Sequence, residues 1–215
     1  MAKGVYIGND SKAVKVKSLY VGVGGKARKV KKGYVGVGGV ARQFYVREPQ
    51  IVSFTSNPVP TTGWTLSEDG LTATAINKYG KWTILSDKVA YEGYLLYNAF
   101  DNDKDTYFRT GELSSDDCLK IKLIPPSNVQ IKPSQIYIKY KNTLATSSVK
   151  AIAENGTEDS LFSFSKNSSI KESTKDIYQE TFYESFLIQA YRYSSTSSMI
   201  TVFEFSINSG ELKIL

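Results

Sequence analysis

From Thr72 to Ile207 the chain keeps returning to one pattern, a short run of alternating apolar and polar residues closed by a polar turn. The runs are Thr72–Ile76, Lys81–Leu85, Cys118–Leu123, Gln135–Lys141, Val149–Ala153, Ser160–Ser165, Phe186–Tyr193 and Ile200–Ile207. Period-two alternation sends successive side chains to opposite faces of a strand, so each run has a face to bury and a face to leave in water. Ser, Asn, Asp, Gly and Pro fill the intervals, and no amphipathic helical stretch exceeds two turns. Many short strands at this spacing predict an all-β sandwich or jelly roll. The aromatic residues, 15 Tyr, 10 Phe and 2 Trp, suit strands and binding faces alike, so they support the fold without choosing a function.

A different order governs the first 45 residues. Tyr6, Tyr20 and Tyr34 are spaced by fourteen, and each opens a similar unit, as in Tyr20-Val21-Gly22-Val23-Gly24-Gly25-Lys26-Ala27. A β-rich tetrapeptide meets a two-residue turn, Asn9-Asp10 or Gly-Gly, where positive φ is cheap, and a second strand follows. Three units predict a small β-meander that buries too little to be comfortable alone. The segment carries ten basic residues against Asp10, or +9, so with a total of +6 the remaining 170 residues sum to −3. Lys15, Lys17, Lys29 and Lys31 fall on one strand face, the pattern of a solvated or edge-protecting face or of a docking surface for an acidic partner. Nucleic-acid binding is the weaker reading of the same charges. The Gly-Gly runs lead into strands rather than a helix, which argues against a phosphate loop. The expected division is a basic repeat over 1–45, a linker or entry segment over 46–63 with Pro49, Pro58 and Pro60, and a sandwich over 64–215.

The absences are informative. With no histidine, the chain lacks the commonest general base and zinc ligand and every Ser-His or Cys-His nucleophile. One cysteine, Cys118, excludes an intramolecular disulfide and a cysteine-cluster metal site. Acid pairs such as Asp116-Asp117 and Glu158-Asp159 read as solvated turns rather than a glycosidase dyad, so no enzyme activity is expected. Met1-Ala2-Lys3-Gly4 opens without the apolar run of a signal peptide and no stretch approaches a membrane span. Synthesis in a cytoplasm, without signal-peptide secretion, is the expectation.

Asn98-Ala99-Phe100-Asp101-Asn102-Asp103-Lys104-Asp105-Thr106-Tyr107-Phe108-Arg109-Thr110 is the stretch richest in chemistry. Asp101, Asp103 and Thr106 set hard oxygen donors two and three residues apart on a tight turn, a set suited to Ca²⁺. The alternative is a metal-free turn whose carboxylates cap backbone N–H groups. The stretch resembles the Ala-Phe-Asp-Gly-Asp…Thr-x-Trp signature of discoidin domains (F5/8 type C, galactose-binding-like), a family that includes coagulation-factor C domains and many carbohydrate-binding modules. Phe186–Ala190 and Ile200–Ile207 resemble that family's closing strands. Asn102 stands where the family has Gly, and Phe108 where it has Trp. The resemblance covers residues ~50–208 and implies a discoidin-like jelly roll with a structural calcium. Carried over by position, the ligands are the side chains of Asp101, Asp103, Thr106 and Glu204 with the carbonyls of Asn98 and Phe203.

In that fold ligands are gripped by loops at one end, with aromatic rings against sugar faces. The candidates here are Trp64, Trp82, Tyr91, Tyr94, Tyr97 and Tyr193, with Arg109 and Lys88 as hydrogen-bonding partners. The repeat around Tyr20–Tyr34 resembles the N-terminal repeat of tail-region and structural proteins of phages and prophages of Gram-positive bacteria. Together the two resemblances imply a virion or phage-tail-like particle component, tail- or baseplate-associated, present in several copies. Residues 1–45 would join it to other particle subunits, and the sandwich would bind host cell-surface carbohydrate. The alternative is a capsid decoration or tail-assembly protein whose jelly roll holds no glycan.

Overall fold

The computed structural model describes residues 5–9, 12–16, 19–30, 32–37, 40–46, 49–111, 113, 117–191 and 199–215. The chain divides into two compact units, residues 1–50 with Leu215, and residues 51–214.

In the first unit each fourteen-residue repeat is a β-hairpin: β1 (Tyr6–Asn9) with β2 (Lys12–Lys15), β3 (Tyr20–Val23) with β4 (Lys26–Lys29), and β5 (Lys32–Val37) with β6 (Val40–Val46). Gly24 and Gly25 carry φ of +59° and +74°. Two successive positive φ values match the right-handed strand twist, and only glycine takes both cheaply. The expected meander is a file of hairpins: among the described residues each pairs only within itself. The cationic second strands, such as Lys26-Ala27-Arg28-Lys29, explain this, since laddering them side by side would oppose like charges. Tyr20, Val21, Val23, Tyr34, Val35 and Val37 remain exposed.

The second unit is an all-β sandwich with one turn of 3₁₀ helix. Its elements are β7 (Gln50–Phe54, in the unit from Ile51), β8 (Thr65–Leu66), β9 (Thr72–Asn77), β10 (Gly80–Ser86), η1 (Leu96–Ala99), β11 (Phe108–Arg109), β12 (Cys118–Ile124), β13 (Val129–Ala153), β14 (Glu158–Asp176), β15 (Tyr183–Tyr191) and β16 (Ile200–Ile214). Along the sheet the order is β11-β16-β13-β15-β12-β10-β9-β8, with β14 beside β13 and β7 beside β16. Within the segment read as linker or entry, Gln50–Phe54 is a strand and Val59 belongs to the core.

The long strand β13 makes the sandwich. From Gln135 to Asn142 it lies between β14 and β16, ending on the pair Asn142–Ile200. From Thr146 it has exchanged β16 for β15, opening on Thr146–Tyr191, while β14 stays on its other edge. The sequence predicts two strands here, 135–141 and 149–153. The intervening Asn142–Ser148 is mostly polar but contains neither Gly nor Pro, so the backbone bends and changes partner without breaking. Alternation then fills the interior: Trp82 and Ile84 from β10, Leu119, Ile121 and Leu123 from β12, and Phe205 and Ile207 from β16 are all buried. Phe100 meets Phe205 edge-to-face, ring centroids 5.9 Å apart.

Candidate functional site

Two arrangements meet where the segment from η1 to β11 crosses β16. The first is the Asp101–Thr106 loop. Leu96, Ala99 and Phe100 are buried and fix its start, and Phe108 is buried and fixes its end. Between these anchors the chain turns through Asn102, the one non-glycine residue at positive φ (62°) among the described residues. Asn in the family's Gly position is therefore a residue that reaches the left-handed region without Gly. The carboxylates stitch the turn: Asp103 N donates to Asp101 Oδ1 (3.0 Å), Asp105 N to Asp103 Oδ1 (2.9 Å), and Thr106 Oγ1 to Asp101 Oδ2 (2.7 Å). The Asn98 side-chain amide reaches the Tyr107 carbonyl at 3.4 Å.

Facing this loop, β16 carries a bulge. Lys139 lies opposite Glu204 but Tyr140 lies opposite Val202, so Phe203 is an extra residue. Strand parity reverses across it, which is why Ile200 and Val202 on one side and Phe205 and Ile207 on the other all enter the same core. Phe203 and Glu204 are thereby turned out of the core toward the loop. Glu204 is nonetheless 1% exposed, and neither of its carboxylate oxygens has a hydrogen-bond partner. Burial, then the nearby Asp101 charge, pushes its pKa up to about 8, against the pull of the Asn102 backbone N–H and of Lys104.

An oxygen-only donor set facing an orphaned buried carboxylate is what a hard cation requires, so the residues fit Ca²⁺. Among the described residues no three acidic side chains are already gathered round one point; Asp101 and Asp103 spend oxygens on backbone amides instead. Of the two expected carbonyl donors, Asn98 precedes the loop and Phe203 is the bulge residue itself.

The second arrangement is aromatic. Tyr91 stacks on Tyr94 (6.2 Å between centroids, 20° between planes), Tyr94 on Tyr107 (4.6 Å, 18°), and Tyr107 tilts onto Phe203 (4.9 Å). The Arg109 guanidinium carbon lies 5.9 Å from the Tyr91 ring and 5.8 Å from that of Tyr94. A hydrogen bond to Tyr94 is the main cause raising the Tyr107 pKa. Tyr91, at one end of the stack, is 47% exposed. Tyr91, Tyr94 and Arg109 are thus brought together as a surface. The sequence reading names neither Tyr107 nor the Phe203 ring among the aromatic candidates, Phe203 entering it only as a carbonyl donor, although alternation about the buried Phe108 already puts Tyr107 on the face of Arg109.

The other candidates separate. Trp64 and Tyr97 line a shallow depression of about 420 Å³ together with Thr61, Asp101 and Asp103, with the Trp64 indole N–H bonded to the Pro60 carbonyl at 2.9 Å. Trp82 is a correction: it is fully buried on the inward face of β10, its indole N–H satisfied by Asn77 Oδ1 at 3.0 Å, so no ligand reaches it. Lys88 is paired with Asp117 at 2.9 Å. Tyr193 lies outside the described residues.

No protein-family model matches the chain, and no curated protein does. Among solved structures it is similar to a family 89 glycoside hydrolase from Clostridium perfringens (14% identity over 60% of this chain and 14% of that one, TM-score 0.46). It is also similar to the family 32 carbohydrate-binding module of C. perfringens NanJ, solved with galactose (14%, 60% and 93%, TM-score 0.45). A third is chitosan-binding module 1 of a chitosanase/glucanase from Paenibacillus sp. IK-5 (11%, 57% and 91%, TM-score 0.43). The chain thus spans about one seventh of the hydrolase and most of each module.

Proposed function

We propose that the sandwich unit is a non-catalytic, discoidin-like carbohydrate-binding module that grips host cell-surface glycan with the Tyr91–Tyr94–Tyr107 stack and Arg109. The observation that carries this reading is the stack itself. Three rings already lie face to face, so a sugar meeting the open face of Tyr91 finds a platform whose ordering was completed on folding. Arg109 beside the rings adds hydrogen-bond donors at the platform's edge. Trp64 and Tyr97 offer a second, shallower face.

Calcium is part of this proposal, on Asp101, Asp103, Thr106 and Glu204 with the carbonyls of Asn98 and Phe203. When bound, the ion would neutralise the carboxylates and pin the loop. The loop in turn leads directly into Tyr107 and Arg109, so its rigidity is the rigidity of the platform.

The hairpin unit supports the particle reading. Its repeated exposed Tyr and Val residues on a +9 segment suit attachment to acidic neighbouring subunits of a virion or phage-tail-like particle, at a tail or baseplate. The test has two arms: binding of the purified chain to host wall polysaccharide and to a glycan array, and its stoichiometric presence in purified particles. Binding to the wall that is lost in Tyr91→Ala supports the reading. Particle incorporation with no glycan binding would replace it with a cementing role.

A further inference from the structure

We infer that the ligand of the Tyr91–Arg109 face is an acidic glycan, one whose sugar carries a carboxylate or phosphate that Arg109 receives. The inference rests on the carbohydrate reading above and goes beyond it by naming the class of sugar.

Several cations of the sandwich unit are paired with carboxylates, and Arg109, beside the stack, is not one of them. Lys88 meets Asp117 at 2.9 Å, Lys104 meets Glu172 at 3.7 Å, Lys132 meets Glu180 and Glu211 at 2.9 and 3.0 Å, and Lys150 meets Glu158 at 3.2 Å. Arg109 meets no carboxylate among the described residues, and its Nε is enclosed with no hydrogen-bond partner. A guanidinium with no protein acceptor among the described residues leaves its outer N–H donors for an acceptor from outside. The guanidinium carbon lies 5.9 Å and 5.8 Å from the ring centroids of Tyr91 and Tyr94.

A planar fork of donors matches the two oxygens of a carboxylate or phosphate. Tyr91, 47% exposed at the end of the stack, gives the same ligand a flat apolar face a few ångströms away. The pair therefore selects a molecule that is apolar on one ring face and anionic at its edge. A bare polyanion suits the site less, because residues 51–215 sum to −3.

The experiment is a glycan array built of matched twins, probed with the full chain: uronic-acid oligosaccharides against their methyl esters, and phosphorylated sugars against dephosphorylated ones. The uronate and phosphate arms distinguish the two sources of the anion. The expected result is at least tenfold tighter binding to the acidic member of a pair, weakened by added salt and reduced to the level of the neutral twin in Arg109→Gln. Arg109→Lys, which keeps the charge but not the fork, is expected to fall between. Should Arg109→Gln fail to fold, the twin preference of the unaltered chain and the Arg109→Lys value decide. Equal binding of both twins, or an acid preference that survives Arg109→Gln, overturns the inference and leaves carbohydrate binding standing. Binding to no glycan at all overturns both.

Discussion

Replacing Glu204 by Gln isolates the electrostatics of the bulge-and-loop site. The native carboxyl is held at a pKa of about 8, against 4.5 for an ordinary glutamate, chiefly by burial and then by Asp101. A folded pKa above the unfolded one means that stability is fully present below pH 4.5 and is lost as pH rises toward 8. At pH 7 the protein folds with a protonated Glu204 that the unfolded chain would ionise. At 1.36 kcal/mol per pH unit, the gap of about 2.5 units amounts to roughly 3 kcal/mol. Gln has nearly the same volume and carries no such loss. In chelator-treated protein Glu204→Gln is therefore expected to be more stable than the parent at pH 7 by up to about 3 kcal/mol. For a domain of this size that is a Tm rise of roughly 6–12 °C. Near pH 4 the two should converge. Added Ca²⁺ should raise the Tm of the parent and leave the variant unmoved. Thermal melts monitored by circular dichroism at pH 4 and pH 7, with and without Ca²⁺, read all four states. A variant that is less stable at pH 7 without metal, or pH profiles that run parallel, would refute this account of Glu204.

Other substitutions separate core from surface. Trp82→Ala should destabilise the sandwich unit by about 3–5 kcal/mol in urea melts, since it empties a fully buried site; Tyr91→Ala should change the midpoint little. Gly210→Ala should be strongly destabilising, because at φ +155° its new methyl group would collide with the Lys132 carbonyl across the β13–β16 ladder. A melting temperature unchanged by that substitution would contradict the described register. Gly25→Val should loosen the β3–β4 hairpin at its turn, seen as lost hydrogen-exchange protection at Val23 and Lys26, while the sandwich melts as before.

Strands that bury one face were legible because alternation records burial directly: Leu119, Ile121 and Leu123 could only face inward, and they do. The same rule, applied to Lys81-Trp82-Thr83-Ile84, would have put Trp82 in the core with Ile84; its residue type drew it onto the ligand face instead. The continuity of β13 was not legible, because a polar run without Gly or Pro can be a turn or a bent strand, and the partners decide which. Glu204 was tied to the Asp101–Thr106 loop by family resemblance. Its cause, the bulge at Phe203, shows in the sequence only as a parity break between Ile200/Val202 and Phe205/Ile207. The stack of Tyr91, Tyr94 and Tyr107 depends on a loop of no regular period folding back on β11, and no local pattern encodes that return.

Isothermal titration of the full chain and of Tyr91→Ala with an acidic oligosaccharide selected on the array tests the carbohydrate reading most directly. The account predicts saturable, salt-sensitive binding by the parent and a loss on the order of 30-fold in the variant, as for removal of an exposed aromatic anchor of about 2 kcal/mol, with unchanged melting temperature. Equal affinity in the two proteins would show that the tyrosine stack is not the binding face and would contradict the account.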